Sequence, residues 1–383
     1  MDRFLLGVNY WPRSSAMAMW SRFDLGEIDE DFARIAALGL DVVRFFLLWE
    51  AFAPAAGSID ALALQRFVDV LDRAHAHGLR TMPTLFCGHM SGVNWLPAWT
   101  LDPATPSGRF RTIAGGRVSP YGIGDFYTGG LLEAQRTLAR AAGERARDHA
   151  SVLAWDLGNE FSNLRAPRTP QDAAQWSKAL TRDLLETSNI GVTGGTHGED
   201  LSEDRNIRLS SLAEPWAFAT MHGYPAYSDF ARSLSDPEVV PFLHEMAAAF
   251  ARKPVLFSEF GTPATALDDD AAAQYAREVL PRLQRRGALG AFWWCWTDYA
   301  PELASSPPFD LAPHELRFGI VRADGSERPV AAALGDFARE RRTLAEAAPP
   351  ALNEESYYAG LPASLREAYA KYCARYGDEG ASG

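Results

Sequence analysis

Two short apolar runs in the chain each end in a glutamate. In the first, Ser151-Val-Leu-Ala-Trp-Asp-Leu-Gly-Asn159-Glu160, the pattern reads as a buried strand that delivers a carboxamide and a carboxylic acid side by side at its C-terminal end. In the second, Lys253-Pro-Val-Leu-Phe-Ser-Glu259-Phe-Gly, another apolar strand closes on a carboxylate and is followed at once by glycine. Two carboxylates presented by two strand ends suit glycoside hydrolysis, where one protonates the leaving oxygen and the other attacks the sugar. A pair working through a covalent intermediate sits only ~5–5.5 Å apart, so the two must face one hole from different elements.

The elements that would position them alternate along the chain. Residues 4–9, 41–47, 79–86, 151–160, 189–193, 217–222, 253–259 and 289–296 read as strands. Helical periodicity covers 25–38, with Ile28, Phe32, Ile35 and Leu38 on one face and Gly39 as the stop; it recurs over 60–77, up to 149, 171–187, 237–251, 269–286 and 328–345. The fifth and sixth strands are joined by a weakly helical connection. Eight βα units in tandem over residues 1–348 predict a (β/α)8 TIM barrel, longer than the ~250 residues usual for that fold because the third and eighth loops are extended. The third loop, 88–128, is rich in Gly, Pro, Trp and Tyr; loops this long in a domain usually form lids or walls. Trp95, Trp99, Phe110, Tyr121 and Tyr127 are expected to order it against the barrel. No linker divides the chain. Residues 349–383 form a C-terminal tail whose helix over 362–375, with Tyr369, Tyr372 and Cys373 at helical spacing, is expected on the barrel exterior.

Composition narrows the partners. Over 383 residues, 47% are hydrophobic and the net charge is -12, which speaks against nucleic acid or an anionic membrane and for a neutral substrate. No run approaches the ~18 apolar residues of a membrane span. The N-terminus carries no export pattern, and Cys87, Cys295 and Cys373 are odd in number and far apart, so no disulfide framework and a cytoplasmic setting are expected. A metal-dependent barrel hydrolase would need a His-x-His pair after the first strand, where this chain has Asn9-Tyr10-Trp11; no metal or cofactor is expected. A non-catalytic carbohydrate-binding barrel would keep the aromatics and lose a carboxylate, yet both glutamates are present.

In such barrels the site lies at the C-terminal strand ends. Those ends carry Arg44, His89, Asn159 and Glu160, His222 and Tyr224, Glu259, and Trp294 or Trp296. In residue type and order this set resembles the retaining glycoside hydrolases of clan A, most of all family 5, the cellulase and mannanase family. The resemblance implies that Glu160 is the general acid/base and Glu259 the nucleophile. Electrostatics agrees, because an ionised Glu259 keeps a proton on its neighbour. Arg44 would hold Glu259 ionised, Tyr224 would orient the same carboxylate with His222 beside it, Asn159 would meet the sugar 2-hydroxyl, and His89 would line the substrate site. Strand alternation puts Trp294 and Trp296 on one face and Trp293 on the other, offering a flat surface to the sugar. His75, His77, His149 and His244 read as surface or structural; His197 and His314 stay open.

The Asn9-Tyr-Trp-Pro opening, Leu48-Trp-Glu50, the Met90-Ser-Gly-Val-Asn-Trp-Leu-Pro-Ala-Trp99 loop and the His314-Glu-Leu-Arg-Phe-Gly segment resemble bacterial family 5 β-mannosidases that trim single residues. That implies a retaining exo-β-glycosidase acting on a β-linked oligosaccharide or glycoside. The alternative is an endo-β-1,4-mannanase, β-glucanase or β-glucosidase of the same family.

Overall fold

The computed structural model describes residues 3–340, 342–346 and 348–377. Eight parallel strands, β1 (Leu5–Tyr10), β2 (Val42–Leu48), β3 (Arg80–Cys87), β4 (Trp155–Asn159), β5 (Val192–Gly195), β6 (Ala219–His222), β7 (Val255–Phe260) and β8 (Gly290–Trp293), form one sheet in the order β5-β4-β3-β2-β1-β8-β7-β6. The ends of that order meet: Ala217 N–H donates to Val192 O (2.8 Å), His222 N–H to Thr196 O (2.9 Å) and Thr193 Oγ1 to Phe218 O (2.8 Å). The sheet thereby curls into the expected (β/α)8 barrel.

Each strand is wrapped by the helix after it: α1 (Leu25–Ala37), α2 (Ala61–Ala76), α3 (Gly129–Arg145), α4 (Pro170–Thr187), α5 (Val239–Ala251), α6 (Asp269–Arg285) and α7 (Pro329–Arg339). Unit five has only the one-turn helices Glu199–Ser202 and Leu209–Leu212. Caps fix where these helices begin. Asp24 accepts from Gly26 N and Glu27 N, Asp60 from Ala63 N, and Thr169 and Asp172 form a reciprocal box at the start of α4. On α1, Ile28, Phe32 and Ile35 are buried as their spacing requires. Leu5, Val42, Met82, Leu153, Ala154, Phe218, Leu256 and Phe292, near the strand starts, form a separate apolar cluster that fills the barrel interior below the site. Gly7 leaves room for it: a Cβ there would lie 2.6 Å from the Phe292 ring.

Three stretches depart from the sequence reading. Loop 88–128 is not irregular; His89–Met90, Val93–Trp95, Arg111–Ala114 and Arg117–Ser119 form a four-stranded sheet, and Leu101–Pro106 pairs with Tyr121–Ile123. Trp99 packs edge-on against Trp49 and Tyr127 is buried, but Tyr121 is exposed. The eighth strand ends at Trp293 rather than Trp296, because the regular ladder is interrupted there: Cys295 N–H turns out of the sheet to Phe318 O before Trp296 N–H returns to Asn9 O on β1. The last barrel helix stops at Arg339.

The tail forms α8 (Glu354–Ala359) and α9 (Ala363–Tyr376). Tyr369 packs edge-on against Phe230 and Phe242 on the outside of the barrel and donates to Asp236 (2.6 Å). Tyr357 and Tyr358 donate to Leu201 O and Asp200 O, tying the tail to the one-turn helix after β5.

Candidate active site

Arg44, on β2, is fully buried and organises the floor of the site. Its Nε and Nη2 donate to Asp156 Oδ2 (2.9 and 2.7 Å), Nη2 also to Asn159 Oδ1 (2.9 Å), and Nη1 to Asn9 Oδ1 (3.1 Å) and Glu259 Oε1. Thr84 adds a third donor to Asp156 Oδ2 (2.8 Å). Asp156 and Asn9 were therefore missed as site residues. Both stand inside the quoted motifs, but an apolar strand hides one and a neighbouring Tyr-Trp the other.

Glu160 sits one residue past β4 in the left-handed region, at φ 46°. A side-chain-bearing residue holds that conformation only when its surroundings enforce it. Gly158, at φ 126°, lets the strand turn, and Gly195 lets it come close: a Cβ on Gly195 would lie 2.0 Å from Gly158 O. The turn aims Glu160 at three imidazoles. His222 Nδ1 lies 3.1 Å from Oε1, His89 Nε2 3.7 Å and His197 Nδ1 4.0 Å from Oε2, and Asn163 Nδ2 donates to Oε2 (3.2 Å). His222 thus partners Glu160 directly, although its Nδ1 is also 3.6 Å from Glu259. His197, left open by sequence, is placed by Ser162 Oγ (3.0 Å) and by Asp200, which accepts from its backbone N–H (3.1 Å).

Glu259 ends β7 on the other side. Tyr224 donates to its Oε2 (2.9 Å), as expected. One oxygen each of Glu160 and Glu259, with a ring nitrogen of His222, lie within 4.8 Å of one another. A cation held by those three groups would take up one oxygen of each carboxylate. Burial pushes Glu259 up to about 8 against the pull of Arg44, with the Glu160 charge adding to the rise. Burial acts to raise Glu160 too, but charged His197, His222 and His89 would take it below the usual carboxylate range. Two of those rings are held in the uncharged form at neutral pH, since burial takes His222 down to about 3 and lowers His89. What then separates the two carboxylates is the permanent charge of Arg44 on Glu259.

These groups open into a cavity of about 340 Å³, lined besides by Met90, Phe110, Tyr227, Trp294, His314, Glu315 and Phe318. Phe110 stacks edge-on against His89 at 4.5 Å, and His89 Nδ1 meets Asn94 (2.7 Å). Trp294 lines the cavity. Trp296 does not: it is fully buried beneath Arg34, because the turn of Cys295 away from the sheet breaks the alternation of faces. His314 joins the rim through Tyr227 Oη (3.1 Å). His77 and His149 bind Asp29 and Asp72 on the barrel flank, and His244 is buried in α5. Two bridges tie loop 88–128 to other loops, Arg109 to Glu199 (2.8 Å) in the cavity wall and Arg111 to Asp310 (2.7 Å) outside the cavity lining.

An eight-stranded parallel barrel with two facing carboxylates at its C-terminal rim is the architecture of clan A. No protein-family model matches the chain. A probable mannan endo-1,4-β-mannosidase F of Emericella nidulans is 26% identical over 194 residues, covering 45% of this chain and 41% of that protein. An exo-β-1,4-mannosidase of an Opitutaceae bacterium superposes with a TM-score of 0.76 at 28% identity, over 89% of this chain and 60% of its own. A family 5 subfamily 18 protein of Streptomyces cattleya, in complex with GlcNAc, shares the fold with a TM-score of 0.84 at 23% identity, over 100% and 92% of the two chains. The chain thus spans under half of that curated relative and three fifths of the Opitutaceae structure. With the motif order described above, these likenesses are those of a (β/α)8 barrel similar to the family 5 glycoside hydrolases of clan A.

Proposed function

We propose that the protein is a retaining exo-β-mannosidase. The observation that carries this is the approach of Glu160 and Glu259 to within 4.8 Å from β4 and β7, too close to leave room for a water between them and suited to direct attack. Glu259 attacks C1 of the terminal sugar while Glu160 gives its proton to the departing glycosidic oxygen. The glycosyl-enzyme is then opened by water, whose proton returns to Glu160, and the β-configuration is restored. Arg44 and Tyr224 hold Glu259 as the charged member of the pair. Asn159, fixed by Arg44 and by His89 O (3.1 Å), is placed for the 2-hydroxyl. Trp294 offers its face to the sugar ring, and His89 and His222 position Glu160.

The substrate class is supported by the mannosidase names of two relatives, and exo action by a cavity at the small end of the ~300–1,000 Å³ range of ligand sites, with the Arg109–Glu199 ion pair in its wall. The barrel and the tail are read as one unit. The three cysteines are unpaired, which supports a reducing, cytoplasmic setting. A panel of nitrophenyl glycosides, with the first-formed anomer followed by NMR, tests the reading. Release of β-mannose first is expected; α-mannose first, or a preference for β-glucoside, would refute it. An endo-acting enzyme is the second reading, favoured by the name of the fungal relative.

A further inference from the structure

Two further carboxylates line the cavity beside Glu160 and Glu259: Glu199 is paired with Arg109 and Arg205, whereas Glu315 has no such pairing among the described residues and is not used by the reaction. It sits in the one-turn segment Pro313–Arg317, far in sequence from any strand end, with its side chain only 10% exposed. Burying a carboxylate is costly unless donors replace the lost water. Here the replacements are poor. Both are on Oε1, from Tyr227 Oη and His314 Nε2, each at 3.5 Å, the outer edge of hydrogen-bond range. Among the described residues no arginine or lysine pairs with it, and Oε2 has no hydrogen-bond partner. An ionised carboxylate offers about four acceptor positions and no donor. Glu315 is thus built as an acceptor waiting for donors from the cavity.

We infer that Glu315 is a sugar-binding residue that takes two neighbouring free hydroxyls of the terminal sugar, one on each carboxylate oxygen. The inference rests on the exo-glycosidase reading and adds to it. With Asn159 placed for the 2-hydroxyl, the adjacent donors left on a hexopyranose are the 3,4 pair and the 4,6 pair. The 4-hydroxyl belongs to both. Because a carboxylate cannot donate, a sugar substituted at O4 loses its grip on Glu315 and brings bulk against it. A β-1,4-linked chain would then enter only by its non-reducing end. The residue reads the end of the chain rather than the epimer, since mannose and glucose share these positions.

The test uses nitrophenyl β-mannoside and its 4-deoxy analogue with the wild-type enzyme, Glu315→Gln and Glu315→Ala. For the wild type, loss of the 4-hydroxyl should lower kcat/KM about 10- to 100-fold, the range for a hydrogen bond to a charged group. In Glu315→Ala the two substrates should differ by less than about threefold, with Glu315→Gln between. Glu315→Gln keeps the side-chain volume and guards against a folding defect in the alanine variant. An equal 4-deoxy penalty in all three enzymes would overturn this inference alone. A wild type that turns over neither this nor any other parent glycoside overturns the exo-glycosidase reading and this inference with it.

Discussion

Arg44 gives two of its N–H groups to Asp156 and only one to Glu259. The charge that favours the ionised form of Glu259 is therefore shared with the buried carboxylate of Asp156. Replacing Asp156 with Asn removes the competitor and leaves Arg44 acting on Glu259 alone. The acidic limb of kcat/KM should then move to lower pH by about one unit. Arg44→Ala should move it the other way and, by leaving Asp156 buried and unpaired, lower stability by roughly 3–5 kcal/mol. Limbs that stay put in both variants would make Arg44 a purely structural residue.

The pH profile itself should be bell-shaped. The pair works with one proton: below the lower pKa both carboxyls are protonated and the nucleophile is lost, and above the upper one no acid remains. Burial and the charge of the neighbouring carboxylate make the pair hold its shared proton more tightly than a free glutamate would, so the alkaline limb should fall above the ordinary glutamate value. An alkaline limb near the ordinary glutamate value would show that the two groups do not share a proton.

The two glutamates should respond oppositely to deletion. Glu259→Ala should abolish turnover of every substrate, whereas Glu160→Ala should largely spare glycosylation with very good leaving groups. Added azide should give the α-glycosyl azide with Glu259→Ala, by direct displacement, and the β-azide with Glu160→Ala, by attack on the intermediate. The reverse pairing would exchange the roles.

Much of this was legible because barrels write themselves in periodicity. Apolar runs, helical stripes and the stops at Gly39 and Gly78 mark the units, and strand ends mark the rim. What was hidden lies where side chains act outside regular elements. Trp294 and Trp296 looked equivalent only so long as the strand was assumed to continue. Asp156 reads as one polar residue in a buried strand, and nothing local says that it holds Arg44. His197 follows Gly-Gly-Thr, and its place beside Glu160 comes from Ser162 and Asp200 in other units. The two sheets in loop 88–128 are built from strands of two to six residues with prolines among and between them, too short for alternation to declare.

His244 makes a separate prediction about stability. Burial lowers it to about 4, and neither ring nitrogen has a hydrogen-bond partner among the described residues. The unfolded chain, with an ordinary histidine near 6.5, takes up that proton first, so stability falls as pH drops through 6.5 and stops falling below about 4. Between pH 7.5 and 5 the contribution is roughly 2 kcal/mol. Urea melts at the two pH values should show His244→Leu losing less stability than the wild type by that amount; equal losses would refute it.

Exo action is the prediction most exposed to the loops. An endo enzyme needs an open cleft with sugar sites on both sides of the scissile bond. Here the folded sheet of loop 88–128 stands on one side, Arg109 crosses to Glu199 after β5, and Arg111 crosses to Asp310 after β8. Phe110 and His89, packed edge-on, both line the cavity. Partly exposed ion pairs of this kind are worth ~1 kcal/mol or less each, so the wall owes its position mainly to Trp99 and Tyr127 packing beneath it. The wild type should therefore release mannose as the first product from mannohexaose and act poorly on intact mannan. Arg109→Ala combined with Arg111→Ala should loosen the wall without touching the glutamates, keeping activity on nitrophenyl mannoside while raising the share of longer products. Early mannobiose and mannotriose with little mannose, in the wild type, would mean that the loops line a groove and that their aromatics are platforms for a polymer.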